Sequence, residues 1–392
     1  MSGGAAIARS ADRLADRLVA VRRELHRHPE LSHEEFETTA RIRGWLEEAG
    51  VRIADRYPLR TGVIAEVGGL RDGPVVALRA DIDALPIREE TGLPFASEIP
   101  GRMHACGHDF HTAAVIGAAL LLKEREAALP GTVRLIFQPA EEKASGARQV
   151  IASGALDGVG AIFGLHNKPD LPVGVFGIKD GPIMAAADGF RVEVEGRASH
   201  AAVPEAGIDP VVASAHIVAA LQTIASRNVG PLQSAVVSVT KLHSGEAWNI
   251  IPDRAAFEGT VRAFDRDVRA RVLERFEQVV RGVADAFGVR AAIRWIEGPP
   301  PVLNDAGLAK IAADTAAALG LKAVVPVPSP AGEDFAFYQE RVPGLFVFAG
   351  TAGPQGWHHP KFDVDERALA PTAAFLAALA ERALAQGAGA SR

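Results

Sequence analysis

The chain has 392 residues, of which 48% are hydrophobic and 23% charged, with a formal net charge of −6. A mildly acidic chain without a long basic run offers no electrostatic attraction to nucleic acid or to an anionic membrane, so neither is expected as a partner. Its single cysteine, Cys106, cannot close an internal disulfide, which fits a reducing compartment. Residues 1–17 mix Arg and Asp without an apolar signal core, and the most apolar run, 113–122, is about half of what spans a bilayer. A cytoplasmic location is the expectation.

Apolar positions recur at helical spacing over 10–28 and 33–49, broken at His28-Pro29 and closed by Gly50. Short β-branched runs follow at 51–53, 63–67 and 75–78, and the last leads into Arg79-Ala80-Asp81-Ile82-Asp83-Ala84-Leu85-Pro86. A strand that ends in acidic residues carries its carboxylates at its C-terminal tip, where open α/β sheets build their sites. Next comes His104-Ala105-Cys106-Gly107-His108-Asp109-Phe110-His111, which sets the cysteine between histidines and runs into an alanine-rich helix from Thr112 to Leu122. Gly107 allows close backbone approach there. Two later strands end in the same way: 132–137 runs into Gln138-Pro139-Ala140-Glu141-Glu142, and 161–165 into His166-Asn167. Buried strands alternating with helices predict an α/β fold with a mixed, largely parallel sheet flanked by helices.

From 185 to 297 the order changes. Strand 189–195, helix 208–226, strands 235–242 and 255–264, helix 266–287 and strand 290–296 spell βαββαβ, the split ferredoxin-like unit. The breaker clusters Gly181-Pro182 and Gly298-Pro299-Pro300-Pro301 bracket it. The expected organisation is a discontinuous metal-binding domain, residues 1–184 and 298–392, interrupted by a second domain at 185–297. After the insertion the α/β character resumes with a helix at 305–319, a strand at 322–327, Gly332-Glu333-Asp334-Phe335, a strand at 345–349 and a helix at 365–384.

Thiolate and imidazole suit divalent transition ions. The candidate ligands are Cys106, His108, Glu142, His166 and one histidine of the His358-His359 pair. Five exceed the three protein ligands of a tetrahedral catalytic site and suit a pair of ions about 3.5–4 Å apart that share a ligand. Adjacent residues point different ways, so Glu142 is read as ligand and Glu141 as general base. Asp81 and Asp83 share one side of an extended segment, where one could orient a ligand from behind. His26, His28, His33, His216 and His243 are read as structural, and His111 as a support behind His108. Two rival readings use the same residues. Cys106 could be a nucleophile with His108 or His104 as base, or the chain could be a metal-stabilised binding protein, which has no need of an unligated Glu141.

The motifs at 79–86, 104–109, 138–142, Gly-Leu-His-Asn (164–167) and His-His-Pro-Lys-Phe-Asp (358–363) occur in this order. Together they resemble peptidase family M20, and within it the amidohydrolase branch of hippurate hydrolases, N-acyl-amino-acid amidohydrolases and plant auxin-conjugate hydrolases. The resemblance covers nearly the whole chain. It implies a catalytic domain with two divalent metal ions (Zn, Mn, Ni or Co) and a smaller lid domain through which a homodimer forms. The implied reaction is hydrolysis of N-acyl-L-amino acids, hippurate-like or N-acetyl, to a carboxylate and a free amino acid; a metallo-dipeptidase or carboxypeptidase of the same family is the alternative. It further implies Cys106, His108, Glu142, His166 and His358 as metal ligands, Glu141 as catalytic base and Asp83 as the aspartate beside the metals. Gly196-Arg197-Ala198-Ser199-His200-Ala201 resembles the motif whose histidine, here His200, reaches a neighbouring active site and stabilises an oxyanion. Asn249 matches a substrate-contacting asparagine. Lys143 stands where many relatives have glycine, a departure that bears on substrate preference.

Overall fold

The computed structural model describes residues 2–69 and 73–388, and the chain falls into two compact units. The first comprises residues 1–181, 303–327 and 334–392; the second comprises 182–302 and 328–333. The sequence reading assigned 328–333 to the first domain; in the fold this segment joins the second unit, where Ser329 O accepts from Ala185 N at 3.1 Å.

The first unit is built on an eight-stranded sheet. Its strands are β1 (Arg52–Ile53), β2 (Val63–Gly68), β3 (Val75–Asp81), β4 (Thr132–Gln138), β5 (Val159–Lys168), β6 (Val175–Gly177), β11 (Lys322–Val324) and β12 (Gly344–Gly350), in the spatial order β1-β2-β4-β3-β5-β12-β6-β11. The central four, β4-β3-β5-β12, run parallel, and antiparallel pairs flank them. β12 is buried throughout, as strands covered on both faces must be. Parallel strands bring their C-terminal ends to one edge, so the tips of β3, β4, β5 and β12 share it. His166 and Asn167 lie inside β5 rather than beyond it, because β5 continues to Lys168 beside β12. The strand expected over 322–327 stops at Val324, since Pro326 and Pro328 cannot donate to a ladder.

Helices α1 (Ser2–Arg27), α2 (Phe36–Glu48), α3 (His108–Lys123), α4 (Gly146–Ala152), α7 (Ala306–Ala318) and α8 (Leu369–Ala385) complete this unit. α3 is buried along its first fifteen residues and packs on α1 and α8. The helical stretch 366–385 is long and apolar enough to cross a membrane by length and composition, and in the fold it is largely buried among α1, α3 and α7.

The second unit holds β7 (Ala186–Glu195), α5 (Pro210–Thr223), β8 (Ala235–Ser244), β9 (Arg254–Ala263), α6 (Arg266–Phe287) and β10 (Arg290–Ile296). The sheet order β8-β9-β7-β10, all antiparallel, is that of the split βαββαβ unit. Asp209 and Asp265 cap its two helices through their carboxylates, and Arg269 on α6 grips Asp188 on β7 with two 2.7 Å bonds.

A buried ionic cluster ties α1 to the start of α3. Arg22 donates to Asp109 (3.1 Å) and Asp363 (2.7 Å), and His26 sets Nδ1 2.8 Å from Asp109 and Nε2 3.3 Å from Glu89. Burial opposes charging His26, but its hydrogen bond to Asp109 and that carboxylate's charge outweigh it and push the imidazole up to about 9. The stabilisation is therefore complete below the ordinary value of 6.5 and is lost as pH climbs through about 9. We predict that the unfolding free-energy advantage of the wild type over His26→Asn shrinks by about 3 kcal/mol between pH 6 and about 9.5. Chemical denaturation of both proteins across that range measures it; a constant difference contradicts it.

Candidate metal centre

Each strand tip delivers its group by a different local device. Asp83 follows β3 and is buried; its Oδ1 accepts from His108 Nδ1 (3.2 Å) and Glu141 N (3.1 Å), and its Oδ2 from Ser32 Oγ (2.7 Å) and Glu142 N (3.1 Å). After β4, Glu141–Lys143 form a single 3-10 turn bracketed by Ala140 and Ala144, both at φ 50°. Non-glycine residues in that region cost about 1 kcal/mol or more each, so neighbours must hold them. Glu35, with no exposed surface, does so: one carboxylate oxygen accepts from Ala140 N at 2.8 Å and the other from Thr61 Oγ1 at 2.8 Å. Lys143 is exposed at the end of the turn.

Gly107 caps α3 at φ 85°, a conformation that favours glycine. A Cβ on it would run into Asn167 Nδ2, which donates to Cys106 O at 2.6 Å. His358 also sits in the left-handed region (φ 63°) and donates its N–H to Ala105 O at 2.8 Å.

Five residues anticipated as ligands are brought together. Ligand atoms of Cys106, His108 and His166 lie within 4.8 Å of one another, as do those of Cys106, Glu142 and His358, so Cys106 belongs to both groups. Cys106 Sγ is 3.4 Å from His166 Nε2, and Glu142 Oε1 is 3.4 Å from His358 Nε2 and 3.9 Å from His108 Nε2. Glu141, half-buried, offers a carboxylate oxygen to the same neighbourhood as His108 and Glu142. His359 stands outside the cluster, where its Nδ1 accepts from Lys361 N.

This donor set fits divalent ions. His166 donates Nδ1–H to Asn167 O (2.9 Å) and His108 donates Nδ1–H to Asp83, so both rings aim Nε2 inward. Among the described residues, His108 Nε2 and Glu142 Oε1 are buried with no hydrogen-bond partner, as groups held for a cation would be. Burial and the charges of Glu142 and Glu141 push the Cys106 thiol well up. Burial opposes a charge on His108, but Asp81, Asp83 and Glu142 push its imidazole up to about 10. The cluster is short of positive charge. The same surroundings are the opposite of those that activate a cysteine nucleophile.

His111 supports from behind. Its Nε2 accepts from Asn167 N (2.9 Å) and its Nδ1–H donates to Asp81 at 2.6 Å, while burial holds its imidazole below the ordinary value. His104 is buried with neither ring nitrogen bonded among the described residues, and burial pushes it down to about 4. His26 is structural, as read; His33 bonds Ser145 and Gln149, and His216 and His243 lie exposed on the second unit. In that unit His200 and Asn249 are neighbours, since Ile250 pairs with His200 and Asn249 O accepts from Ala201 N. His200 Nδ1 accepts from Ala202 N at 3.1 Å, which leaves its proton on Nε2 as a donor.

Sequence reasoning missed Ser32, Glu35, Arg79, Gln138, Asn167 and Asp334. Arg79, Asp81 and Asp83 alternate along one extended run, a signal that they share a side; Gln138 and Asn167 fall within quoted motifs, and Ser32, Glu35 and Asp334 carry no local signature.

Residues 77–382 match peptidase family M20/M25/M40. The chain is 54% identical over 364 residues to N-acetylcysteine deacetylase of Bacillus subtilis, covering 93% of this chain and 96% of that protein. It is 40% identical over 384 residues to IAA-amino acid hydrolase ILR1-like 4 of Arabidopsis thaliana, covering 94% and 86%. Among solved structures it is similar to the Bacillus subtilis YXEP protein, described as a dinuclear metal binding peptidase of the M20 family, with 50% identity, a TM-score of 0.87 and coverage of 95% and 99%. The chain belongs to peptidase family M20.

Gly107→Ala forces a side chain into Asn167 and a left-handed backbone onto alanine. We predict a loss of about 2–4 kcal/mol in unfolding free energy together with weaker metal uptake, read by chemical denaturation and by metal analysis after dialysis. Unchanged stability and uptake would contradict the account of this loop.

Proposed function

We propose that this chain is a metal-dependent amidohydrolase that cleaves the amide bond of N-acyl-L-amino acids to a carboxylate and a free amino acid. The observation that carries the reading is the convergence of Cys106, His108, Glu142, His166 and His358 beside Glu141, an acid that the set does not need as a ligand. The names of the relatives support it, since a deacetylase of N-acetylcysteine and a hydrolase of IAA-amino acids both act on acylated amino acids.

In this proposal the five residues hold two divalent ions, of zinc, manganese, nickel or cobalt. Such ions, when bound, supply Lewis acidity toward the scissile carbonyl and lower the pKa of water. Glu141 takes a proton from the attacking water as its oxygen bonds to the carbonyl carbon, then gives that proton to the departing nitrogen as the C–N bond breaks. Asp83 orients this pair of acids through the Glu141 and Glu142 N–H groups and fixes the His108 ring. By the family resemblance, His200 would reach the active site of a neighbouring copy and stabilise the oxyanion there, with Asn249 as a substrate contact.

We also propose a homodimer formed through the second unit, acting as lid, and a cytoplasmic location. Helix α5 carries no Asp, Glu, Lys or Arg yet exposes Val211 and Val212, and the edge strand β8 exposes Val236 and Leu242. Exposed apolar side chains of this kind suit a partner copy. A Val212→Asp/Val236→Asp variant is expected to sediment as a monomer where the wild type is a dimer; a wild type that is monomeric at micromolar concentration contradicts the proposal.

The catalytic reading is tested with acetyl-, benzoyl- and indoleacetyl-amino acids alongside simple dipeptides. A chelator should abolish turnover and added divalent metal restore it. Glu141→Gln should keep its metal and lose at least about a hundredfold in kcat. Full activity in either experiment, or turnover confined to dipeptides, would sink the proposal.

A further inference from the structure

Arg79 lies on β3 with almost no exposed surface and uses all three arms of its guanidinium. Nε donates to Gln138 Oε1 (2.9 Å), Nη1 to Asp81 Oδ2 (2.8 Å) and Nη2 to Asp334 Oδ1 (2.8 Å). A guanidinium is costly to take out of water, and a buried ion pair is by itself weak evidence for stability. The chain keeps the ion pair, and its second partner shows what it acts on.

Asp334 closes the loop that carries the two glutamates. Its carboxylate accepts from Gln138 Nε2 (2.8 and 2.9 Å), the last residue before that loop, and from Ala147 N (3.0 Å), just after it. Its own backbone N–H donates to Glu141 Oε1 at 3.3 Å. Tyr338, four residues on, donates to the same Gln138 Oε1 that receives Arg79. Asp83 therefore fixes the backbone of the Glu141–Glu142 turn, while Asp334 reaches the Glu141 side chain itself.

We propose that the Arg79–Asp334 ion pair is the positioning element for Glu141, holding the Asp334 N–H where it aims the Glu141 carboxylate at its work. The inference rests on Glu141 being the general base. Arg79 and Asp334 lie outside the five-ligand set and act through Gln138, Ala147 and the Asp334 N–H. A base displaced by about 1 Å loses about a hundredfold in rate, which sets the expected effect.

The test compares wild type with Asp334→Asn, Arg79→Lys and the double variant Arg79→Gln/Asp334→Asn, whose neutral pair keeps hydrogen-bonding groups beside Asp81, Gln138 and Ala147 if the single changes do not fold. Each is loaded with manganese, analysed for metal, assayed on an N-acetyl-amino acid and crystallised. Expected are full metal content, KM within about threefold of wild type, kcat lower by about a hundredfold, and a Glu141 carboxylate moved off the residue-334 N–H. Arg79→Lys, which keeps charge without the three-armed geometry, should not restore kcat. Glu141 in its original place in the double variant, an unchanged kcat, or restoration by lysine would overturn the proposal. If the wild type hydrolyses no acylated amino acid, the amidohydrolase reading fails separately, and the position of Glu141 in the variant crystals still decides this one.

Discussion

Asp83 accepts hydrogen bonds from His108, Ser32 and the successive N–H groups of Glu141 and Glu142. A single buried carboxylate thus joins the tip of β3, the first turn of α3 and the turn after β4. Two consecutive N–H groups aimed at one acceptor fix the turn, and consecutive side chains then leave it in different directions. That is how Glu142 comes to sit beside His108 and His358 while Glu141 is reached by the Asp334 N–H. Ala140 and Ala144 bear the conformational cost, and Glu35 holds the first of them in place.

The electrostatics follow from the same arrangement. Asp81, Asp83, Glu142 and Cys106 crowd around the buried His108, with Arg79 as the cation behind Asp81. Buried charges persist when they are paired, and this set lacks positive charge on its inner side. The backs of the imidazoles are already committed, His166 to Asn167 O and His108 to Asp83, so their Nε2 atoms face the cluster. Divalent ions answer both needs, charge and coordination, which is why membership of family M20 and the donor geometry agree.

Much of this was legible in the sequence because hydrophobic runs ended abruptly in functional groups. β3 into Asp81-Ile82-Asp83, β4 into Glu141-Glu142 and β5 into His166 announced a parallel sheet with chemistry along one edge. The choice of His358 over His359 came with the family resemblance; its physical basis, a left-handed backbone tied to Ala105 O, has no sequence signal. Arg79, Gln138 and Asp334 were missed because each resembles an ordinary polar residue of a strand or turn. Their meeting depends on the register that sets Asp81 beside Gln138 and on a segment some two hundred residues further along the chain. Nor could local pattern reveal that 328–333 would join the second unit, since proline-rich connectors carry no preference for either neighbour.

In the proposed centre, one sulfur, one carboxylate and three imidazoles would surround a pair of neighbouring cations. X-ray absorption at the metal edge of manganese- or zinc-loaded protein tests it most directly. The account predicts a sulfur scatterer at a bonding distance of about 2.3 Å for zinc, lost in Cys106→Ser, and a second metal at about 3.5–4 Å. A shell of oxygen and nitrogen alone, or a protein that takes up no metal, would contradict it.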